Sequence, residues 1–464
     1  MDRITRILEA PEKHRFLIVG LARSGASAAR VLRERGAEVV GTDKKSDWDM
    51  FEHLQEAGVR VVAEGEHPEL VRDADLVVLS PGVPLRPLAA PIPAEAVRRG
   101  VPVIGELELA YRLLGGQSGP PMIAVTGTNG KSTTTALCAY ILEQAGHKVF
   151  LGGNIGRPLS ELCLSVNKVD YAVVEVSSFQ LEHLSDPSNF VPQVAIWLNL
   201  TDDHLDRHVT MRNYARMKRR LFEGQSQNET GVLFLDDSYI SQSVEGLDCK
   251  LSGVSRNPAR VPPVGALLIR RELTPNGWDD CFTLENPRLP GDHNAENASV
   301  AACAALALGL DAETIQGALD SFEGLPHRME PIREVNGVSY VNDSKGTNVD
   351  ATAKSLTSFQ EPVILLAGGR GKGTGYLKLR EAVSKKVKHL ILIGEEADRL
   401  EKDLKDCAEI HRASDMAEAV GRAKALAEPG QVVLLSPACA SFDMFKDYAE
   451  RGEVFSGLVQ ELEE

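Results

Sequence analysis

The stretch Met122-Ile-Ala-Val-Thr-Gly127-Thr-Asn-Gly130-Lys131-Ser132-Thr-Thr-Thr135 decides how the rest of the chain is interpreted. Its apolar start predicts a short buried strand, and a helix is predicted to begin at Lys131 after a glycine-containing turn. Such a turn binds phosphate, because backbone N–H groups and the helix N-terminus attract anions. Lys131 can reach terminal phosphates, and the Ser132 hydroxyl is placed to bind Mg²⁺. Val125 stands where the full Walker A pattern has its first glycine, so an ordinary tight turn is the alternative.

The bulk composition predicts a cytoplasmic enzyme of several domains. A chain of 464 residues suggests about three domains, and 43% hydrophobic with 25% charged residues is ordinary for a globular protein. We expect no membrane association, since the chain lacks a spanning apolar run and a signal-peptide core. Seven scattered cysteines without CxxC spacing predict free thiols in a reducing compartment. The net charge of −15 disfavours a nucleic-acid partner.

The first 45 residues resemble half of a Rossmann unit. A strand from 15 to 20 leads through a turn to a helix, and a second strand ends at Asp43. Ala22 replaces the middle glycine of the dinucleotide fingerprint and hinders a pyrophosphate, which weakens the case for a nicotinamide-dependent oxidoreductase. Gly82 follows another strand, at the edge where open α/β sheets bind ligands. A plain α/β domain without a ligand is the alternative.

The central part carries further candidate ligands. Glu175 is embedded in an apolar strand and needs a partner, either Mg²⁺ shared with Ser132 or a structural salt bridge. The run 202–208 contains three Asp and two His, which suits a second cation site or a solvated loop. Asn294 and Asn297, on the first turn of an Ala-rich helix, could bind a base edge, and the alternative is that Asp292 or Asn294 caps that helix.

The C-terminal part alternates strands and helices, which predicts another doubly wound α/β domain. Polar clusters at 342–348, 368–372 and 436–443 follow three of its strands. Their Lys, Arg, Ser and Thr side chains suit an anionic ligand such as an amino-acid carboxylate, with incidental surface loops as the alternative. The fold prediction is therefore α/β with three domains: an N-terminal Rossmann-like domain at 1–112, a central P-loop ATPase-like domain at 113–324 and a C-terminal Rossmann-like domain at 325–464.

Several motifs in order resemble the Mur ligase family. They are Gly127-Thr-Asn-Gly-Lys-Ser132, Glu175-Val-Ser-Ser-Phe-Gln-Leu-Glu182, Asp203-His204-Leu-Asp-Arg207, His293-Asn-Ala-Glu-Asn297 and His327-Arg328. The loop at 20–25 and the runs 343–348 and 436–445 are similar to the branch of the family that adds D-glutamate. The Asn-Pro-Arg signature of the diaminopimelate-adding branch occurs only at 286–288, outside the C-terminal domain.

This resemblance implies a role for each matching residue. ATP would be bound by Gly127, Thr128, Asn129, Gly130, Lys131, Ser132, Thr133, Asn294, Asn297, Arg328 and Asp343. A UDP-sugar would be bound by Arg23, Ser24, Asp43, Lys44, Gly82, Asn154, Ser177 and His204. D-glutamate would be bound by Thr347, Lys372, Ser441 and Phe442. Two Mg²⁺ ions would be held by Ser132, Glu175, His204 and Lys218.

The implied catalytic residues are Lys131, His204 and Lys218. Lys218 aligns with a lysine that this family carbamylates with CO₂, although one residue fewer separates it from His204 than the family pattern has. The implied reaction joins D-glutamate to UDP-N-acetylmuramoyl-L-alanine through an acyl phosphate, in peptidoglycan synthesis, after closure of the C-terminal domain. The expected partners are these small molecules, and the expected state is a monomer. A P-loop switch ATPase and a sister ligase for another amino acid are the remaining alternatives.

Overall fold

The computed structural model describes residues 2–44, 48–65, 67–85, 90–165, 168–277, 281–371 and 375–463. Three sheets, each rich in parallel strands, follow one another along the chain. The predicted three-domain α/β fold is confirmed. Within the described ranges, no helix is both long and apolar enough to cross a membrane.

The N-terminal sheet has five parallel strands in the order β3-β2-β1-β4-β5. Its strands are β1 (Arg15–Val19), β2 (Glu38–Asp43), β3 (Arg60–Ala63), β4 (Leu76–Leu79) and β5 (Val103–Gly105). The helices are α1 (Arg3–Glu9), α2 (Arg23–Glu34), α3 (Trp48–Glu56), α4 (Pro91–Arg99) and α5 (Glu106–Leu113). The strand order reverses between β1 and β4, which opens a crevice at their carboxyl ends.

The central sheet has nine strands in the order β14-β13-β12-β11-β10-β9-β6-β8-β7, and the pairs of β12 with β13 and β13 with β14 are antiparallel. Its strands are β6 (Met122–Thr126), β7 (Val149–Gly153), β8 (Tyr171–Glu175), β9 (Val194–Trp197), β10 (Thr230–Phe234), β11 (Lys250–Ser255), β12 (Gly265–Ile269), β13 (Glu272–Pro275) and β14 (Phe282–Thr283). The helices are α6 (Lys131–Gln144), α7 (Ser178–Glu182), α8 (Leu205–His208), α9 (Met211–Arg219), α10 (Ser238–Ser243), α11 (Asp292–Ala307) and α12 (Ala312–Ser321).

Strand β6 lies in the middle of this sheet and is buried along its whole length. Ile123 and Val125 face one apolar cluster, while Met122 and Ala124 face another on the opposite side. A parallel strand that is covered on both faces has a nearly continuous run of apolar residues. The sequence therefore predicts this strand directly. Strand β8 ends at Glu175, earlier than the apolar run suggests, because Ser177 and Gln180 form a capping box that starts α7.

The C-terminal sheet has the order β15-β16-β20-β17-β18-β19, and only its edge strand β15 is antiparallel among these described strands. Its strands are β15 (Glu330–Val335), β16 (Val338–Asn342), β17 (Val363–Gly368), β18 (Val387–Ile393), β19 (Glu409–Arg412) and β20 (Val432–Leu435). The helices are α13 (Val349–Thr357), α14 (Arg380–Lys386), α15 (Ala397–Leu404), α16 (Met416–Leu426) and α17 (Tyr448–Gln460). The polar clusters predicted from the sequence follow β16, β17 and β20, which are neighbours in the sheet.

Candidate functional site

The turn between β6 and α6 has the backbone geometry of a phosphate loop. Gly127 and Gly130 have φ of 156° and 81°, where side chains are strained. A Cβ on Gly130 would lie 2.2 Å from Oδ1 of Asn297, so α11 lies close against the loop and adds to the preference for glycine that the positive φ creates. The Asn199 side-chain oxygen accepts the N–H groups of Thr128 at 3.1 Å and Asn129 at 2.9 Å. The loop is therefore fixed by β9 and α11 as well as by its own sequence.

Two lysines meet at this loop. Lys131 Nζ donates to the carbonyl oxygens of Gly127 and Thr128, at 3.0 and 2.8 Å. Lys218 Nζ reaches the same Gly127 oxygen from α9, at 2.7 Å, and is 1% exposed. Burial, reinforced by the charge of Lys131, holds the pKa of Lys218 well below its usual value. No local sequence signal marks Lys218, because its position at the loop depends on how α9 packs.

Oxygen ligands suited to Mg²⁺ lie next to the lysines. The Ser132 hydroxyl donates to Glu175 Oε2 at 2.5 Å, and Asn154 Nδ2 donates to Oε1 at 2.7 Å. Arg328 Nη2, at the start of the C-terminal domain, donates to the Ser132 oxygen at 2.6 Å. The hydroxyl and the carboxylate fit the ligand preference of Mg²⁺, which takes oxygen atoms and keeps several waters.

His204 lies beside different neighbours. Its Nε2 is 3.7 Å from Asp203 Oδ2, and its ring centroid is 4.8 Å from that of Phe179. Its φ of 54° places it in the left-handed region, at the N-cap of the short helix α8. These contacts do not join His204 to Ser132 or Glu175, and its part in metal binding stays a prediction.

A cleft between the central and C-terminal domains collects most of the residues predicted to bind ATP. Its lining includes Asn129, Gly130, Thr133, Asn294, Asn297, Arg328 and Asp343. Asn294 Nδ2 donates to the Pro290 carbonyl at 2.8 Å, and Asn297 Nδ2 to Asn294 Oδ1 at 3.2 Å. The N-cap of α11 is Gly291, without a side-chain cap, so neither Asp292 nor Asn294 has the capping role considered from the sequence.

Asp343 and Lys345 bring two perturbed groups to the same cleft. Asp343 Oδ2 accepts from Ser355 at 2.7 Å and Ser436 at 2.8 Å, and burial raises the pKa of Asp343 to about 6. Lys345 Nζ lies 3.4 Å from the ring centroid of Tyr448. Burial lowers the pKa of Lys345 to about 7, and the charge of Arg328 acts in the same direction. We did not select Lys345 from the sequence, although it stands in the polar cluster at 342–348.

The start of α13 ties the C-terminal domain to the phosphate loop. Asp350 Oδ2 accepts from Asn129 Nδ2 at 2.6 Å and from the Thr201 hydroxyl at 3.1 Å. Asn348 Nδ2 donates to Asn129 Oδ1 at 3.2 Å. The loop is thus in direct contact with both domains that form the cleft.

A separate cavity of about 640 Å³ lies at the switch point of the N-terminal sheet. Six of the residues predicted to bind a UDP-sugar line it: Arg23, Ser24, Asp43, Lys44, Gly82 and Asn154. The Leu21 N–H donates to Asp43 Oδ2 at 2.6 Å, so this carboxylate also fixes the turn after β1. The other two predicted residues lie elsewhere: Ser177 caps α7, and His204 begins α8.

The four residues predicted to bind D-glutamate are only partly described. Lys372 lies outside the described residues. Thr347 is half-buried, Ser441 is buried, and the Phe442 side chain points to solvent with 63% exposure. The aromatic ring that contacts Lys345 is that of Tyr448, in the first turn of α17, and not that of Phe442. The role of Phe442 therefore stays a prediction without a supporting contact.

Comparison with known proteins places each sheet in a described domain type. Residues 14–105 match the Mur ligase MurD-like N-terminal domain, residues 125–305 the Mur ligase middle domain, and residues 327–439 the Mur ligase glutamate ligase domain. The matches cover the phosphate loop, the described residues that line the cavity, the polar clusters at 342–348 and 368–372, and the first part of the cluster at 436–443.

Whole-chain relatives agree with these domains. The UDP-N-acetylmuramoylalanine–D-glutamate ligase of Geotalea uraniireducens is 43% identical over 459 residues, covering 97% of this chain and 98% of the relative. The ligase of the same name from Geotalea daltonii is 42% identical over 457 residues, covering 97% of each chain. A solved structure of MurF from Acinetobacter baumannii is similar in fold, with a TM-score of 0.62 at 15% identity over 98% of both chains. With three matching domains in sequence and relatives this similar along nearly its whole length, the chain belongs to the Mur ligase family.

Proposed function

We propose that this protein is an ATP-dependent ligase that adds D-glutamate to UDP-N-acetylmuramoyl-L-alanine in peptidoglycan synthesis. The observation that carries the proposal is the position of Asn154. This residue lines the N-terminal cavity and also donates to Glu175, which in turn is bonded to Ser132 of the phosphate loop. A sugar nucleotide bound in the cavity could therefore present its carboxylate to the terminal phosphate of ATP.

The chemistry needs activation, because a carboxylate is a poor electrophile towards an amine. Transfer of the terminal phosphoryl group of ATP to the carboxylate gives an acyl phosphate and ADP. The amino group of D-glutamate then attacks the acyl carbon, and the tetrahedral intermediate expels phosphate to leave an amide. Lys131 and Arg328 would offset the charge on the transferring phosphoryl group. Mg²⁺ at Ser132 and Glu175 would add to that stabilisation, and we propose two ions.

We also propose that Lys218 is carbamylated. Its amine is buried, and burial together with the nearby charge of Lys131 lowers its pKa and so favours the neutral form. A neutral amine can attack CO₂, lose a proton and become a carbamate. The product is an anion that relieves the repulsion from Lys131 and can orient a metal ion.

The C-terminal domain is the proposed site for D-glutamate, which carries two carboxylates and needs two sets of anion donors. Thr347, Lys372 and Ser441 would provide them, and Lys345 lies in the same polar cluster as Thr347. Phe442 is retained in the proposal only on the family resemblance. L-glutamate should fail, because inversion at the α-carbon cannot satisfy both carboxylates and still direct the amine to the acyl phosphate.

The domains divide the work in this proposal. Residues 1–112 would bind the UDP-sugar, residues 113–324 ATP, and residues 325–464 the amino acid. We propose that the protein acts as a monomer in the cytoplasm, a reducing compartment in which scattered cysteines without CxxC spacing stay as free thiols.

The deciding experiment measures phosphate release and product mass with ATP, Mg²⁺, UDP-N-acetylmuramoyl-L-alanine and a panel of amino acids. We expect turnover with D-glutamate and none with L-glutamate. Efficient ligation of L-alanine, L-lysine or diaminopimelate would instead assign the protein to a sister activity. Omission of the sugar nucleotide is the control for uncoupled ATP hydrolysis.

A further inference from the structure

Three metal-ligating side chains meet at the amino ends of β18 and β19, at the outer edge of the C-terminal sheet. His389 is opposite Glu409 in the parallel register, and His411 follows two residues later. Alternate residues of a strand point to the same face, so all three side chains lie on one side of the sheet. Four residues separate His389 from the end of β18, which puts this cluster about 13 Å along the strand from the polar loops of the ligand cleft.

The spacing of the donor atoms matches a tetrahedral metal site. His389 Nδ1 is 3.2 Å from His411 Nε2 and 3.4 Å from Glu409 Oε2, and His411 Nε2 is 3.6 Å from Glu409 Oε1. Zinc binds imidazole nitrogen and carboxylate oxygen at about 2.0–2.2 Å, which places tetrahedral ligands about 3.3 Å apart. In the part of the chain that the structure describes, this is the one group of three His, Cys, Asp or Glu residues whose donor atoms all lie within 4.8 Å.

With Glu409 present as a carboxylate, no placement of protons on the two imidazoles makes all three contacts attractive. If both facing nitrogens carry hydrogen, the contact between His389 and His411 sets two donors against each other. If either nitrogen lacks hydrogen, its contact with Glu409 sets a lone pair against a carboxylate oxygen. A cation at the centre makes all three contacts attractive, because each donor atom then directs a lone pair at it.

The surroundings leave the cluster available to an ion from solvent. The His389 side chain is 8% exposed and His411 is 18% exposed, while Glu409 is 66% exposed. The nearest cations along these strands are paired elsewhere, since Lys388 binds Glu428 and Arg412 binds Glu401. The two histidines therefore form a partly buried pair, and Glu409 lies on their solvent side.

We propose that His389, Glu409 and His411 bind one Zn²⁺ ion, with water completing the tetrahedron. Imidazole ligands favour zinc and similar transition metals over Mg²⁺, which prefers oxygen. The bound ion would fasten the edge strand β19 to β18 and so stabilise the C-terminal domain. This site is independent of the proposed ligase reaction.

Zinc titration of the untagged, metal-free protein tests the proposal. Calorimetry is done with excess Mg²⁺ at about pH 8, so that Mg²⁺ competes for oxygen-ligand sites elsewhere. We expect one equivalent of Zn²⁺ to be bound by the unchanged protein and affinity to fall by more than about a hundredfold in His411→Asn. His14→Asn is the matched control, because His14 pairs with Asp75 at 3.2 Å at the amino end of the N-terminal sheet and should keep that equivalent.

Crystals soaked in Zn²⁺ and measured at the zinc edge give the second readout. An anomalous peak between the two imidazoles and Glu409 is expected, and Glu409→Gln, on an exposed side chain, provides a variant that should fold normally. Unchanged stoichiometry and affinity in both His411→Asn and Glu409→Gln would overturn the proposal. So would zinc located at any other group of residues.

Discussion

The turn from β1 into α2 and the turn from β6 into α6 are built alike. Each follows a buried parallel strand, contains a glycine with positive φ and leads into a helix. After β1, a Cβ on Gly25 in α2 would lie 1.8 Å from the carbonyl oxygen of Gly20, so the helix packs closely against the turn. In the second, Gly130 is pressed against Asn297. The local backbone geometry therefore does not show which of the two turns binds which ligand.

Their surroundings do distinguish them. The first turn is held by its own domain, through Asp43 at Leu21 N–H and Ser80 at the Gly20 carbonyl, and it opens into the cavity of about 640 Å³. The second receives charged groups from distant parts of the chain: Lys218, Glu175 and Arg328. A glycine turn therefore becomes a site for phosphoryl transfer through the charges that other elements bring to it.

Among substitutions at the second turn, Lys218→Ala is expected to lower kcat the most. If Lys218 supplies a carbamate to the loop, the variant should lose at least about a thousandfold in kcat, roughly 4 kcal/mol of transition-state stabilisation. Added acetate or formate should restore part of the activity by occupying the vacated space, which phosphate-release assays can detect. Carbon-13-labelled bicarbonate should give a carbamate NMR signal in the unchanged protein alone. Intact activity after the substitution would refute the carbamate.

The next largest effect is expected from Lys131→Ala. Lys131 carries a charge that can meet the transferring phosphoryl group, so kcat should fall about a hundredfold or more, ~3 kcal/mol. Small carboxylates should not rescue this variant, which separates its role from that of Lys218. Circular dichroism provides the folding control, and near-normal turnover would remove the nucleotide-site assignment.

A third test uses the buried carboxyl group of Asp343 at the cleft. Its pKa is raised from 3.8 to about 6, so its stabilising protonated form is fully present below pH about 4 and that contribution is lost as pH rises through 6. The loss amounts to about 3 kcal/mol. Asp343→Asn should escape it and gain relative stability between about pH 4 and pH 7.

Hydrogen exchange of amides in β16 and β20 is the suitable readout for Asp343, because a chain of three domains need not unfold in one step. Protection in the unchanged protein should decline over that pH interval relative to the variant. A constant difference between the two proteins would contradict the burial argument.

The first turn predicts a smaller and more selective effect. Asp43→Ala removes the acceptor of the Leu21 N–H in the cavity wall, a loss of about 1–2 kcal/mol. The KM for UDP-N-acetylmuramoyl-L-alanine should rise about tenfold, since 1.4 kcal/mol corresponds to a factor of ten, while the KM for ATP stays unchanged. An equal rise in both constants would show that the turn supports the whole protein and not the cavity alone.

The sequence predicts structure well where the stabilising interactions join residues that are close in the chain, and poorly where they join distant residues. The strand, turn and helix around Gly130 are encoded by neighbouring residues, and the apolar run of β6 reports burial on both faces. The meeting of Lys218 with the Gly127 carbonyl joins residues 91 positions apart, and nothing local to α9 announces it. Family resemblance supplied Lys218, whereas residue chemistry supplied Lys131.

The C-terminal domain shows where sequence reasoning ends. The three polar clusters were found because they follow strands, but which of their side chains face the cleft depends on the loops. The family pattern indicates Phe442, whose side chain points to solvent, whereas Lys345, which lines the cleft, contacts the ring of Tyr448. His389, Glu409 and His411 were missed because neither histidine is unusual until two parallel strands are put in register.

The smallest expected effect concerns the contact between the phosphate loop and α13. Asp350 accepts hydrogen bonds from Asn129 and Thr201, across the boundary between the central and C-terminal domains. Its side chain is 30% exposed, so Asp350→Ala should cost only about 1 kcal/mol and lower kcat about fivefold by making closure less favourable.

Asp350→Asn keeps an acceptor oxygen and should retain most of the activity, which separates the hydrogen bonds from the charge. The KM for the sugar nucleotide should stay constant in both variants, because the N-terminal cavity does not touch α13 through these bonds. Steady-state phosphate release measures kcat and the KM for the sugar nucleotide in both variants. If kcat falls as much in Asp350→Asn as in Asp350→Ala, the charge of Asp350, rather than its hydrogen bonds to the loop, sets the rate.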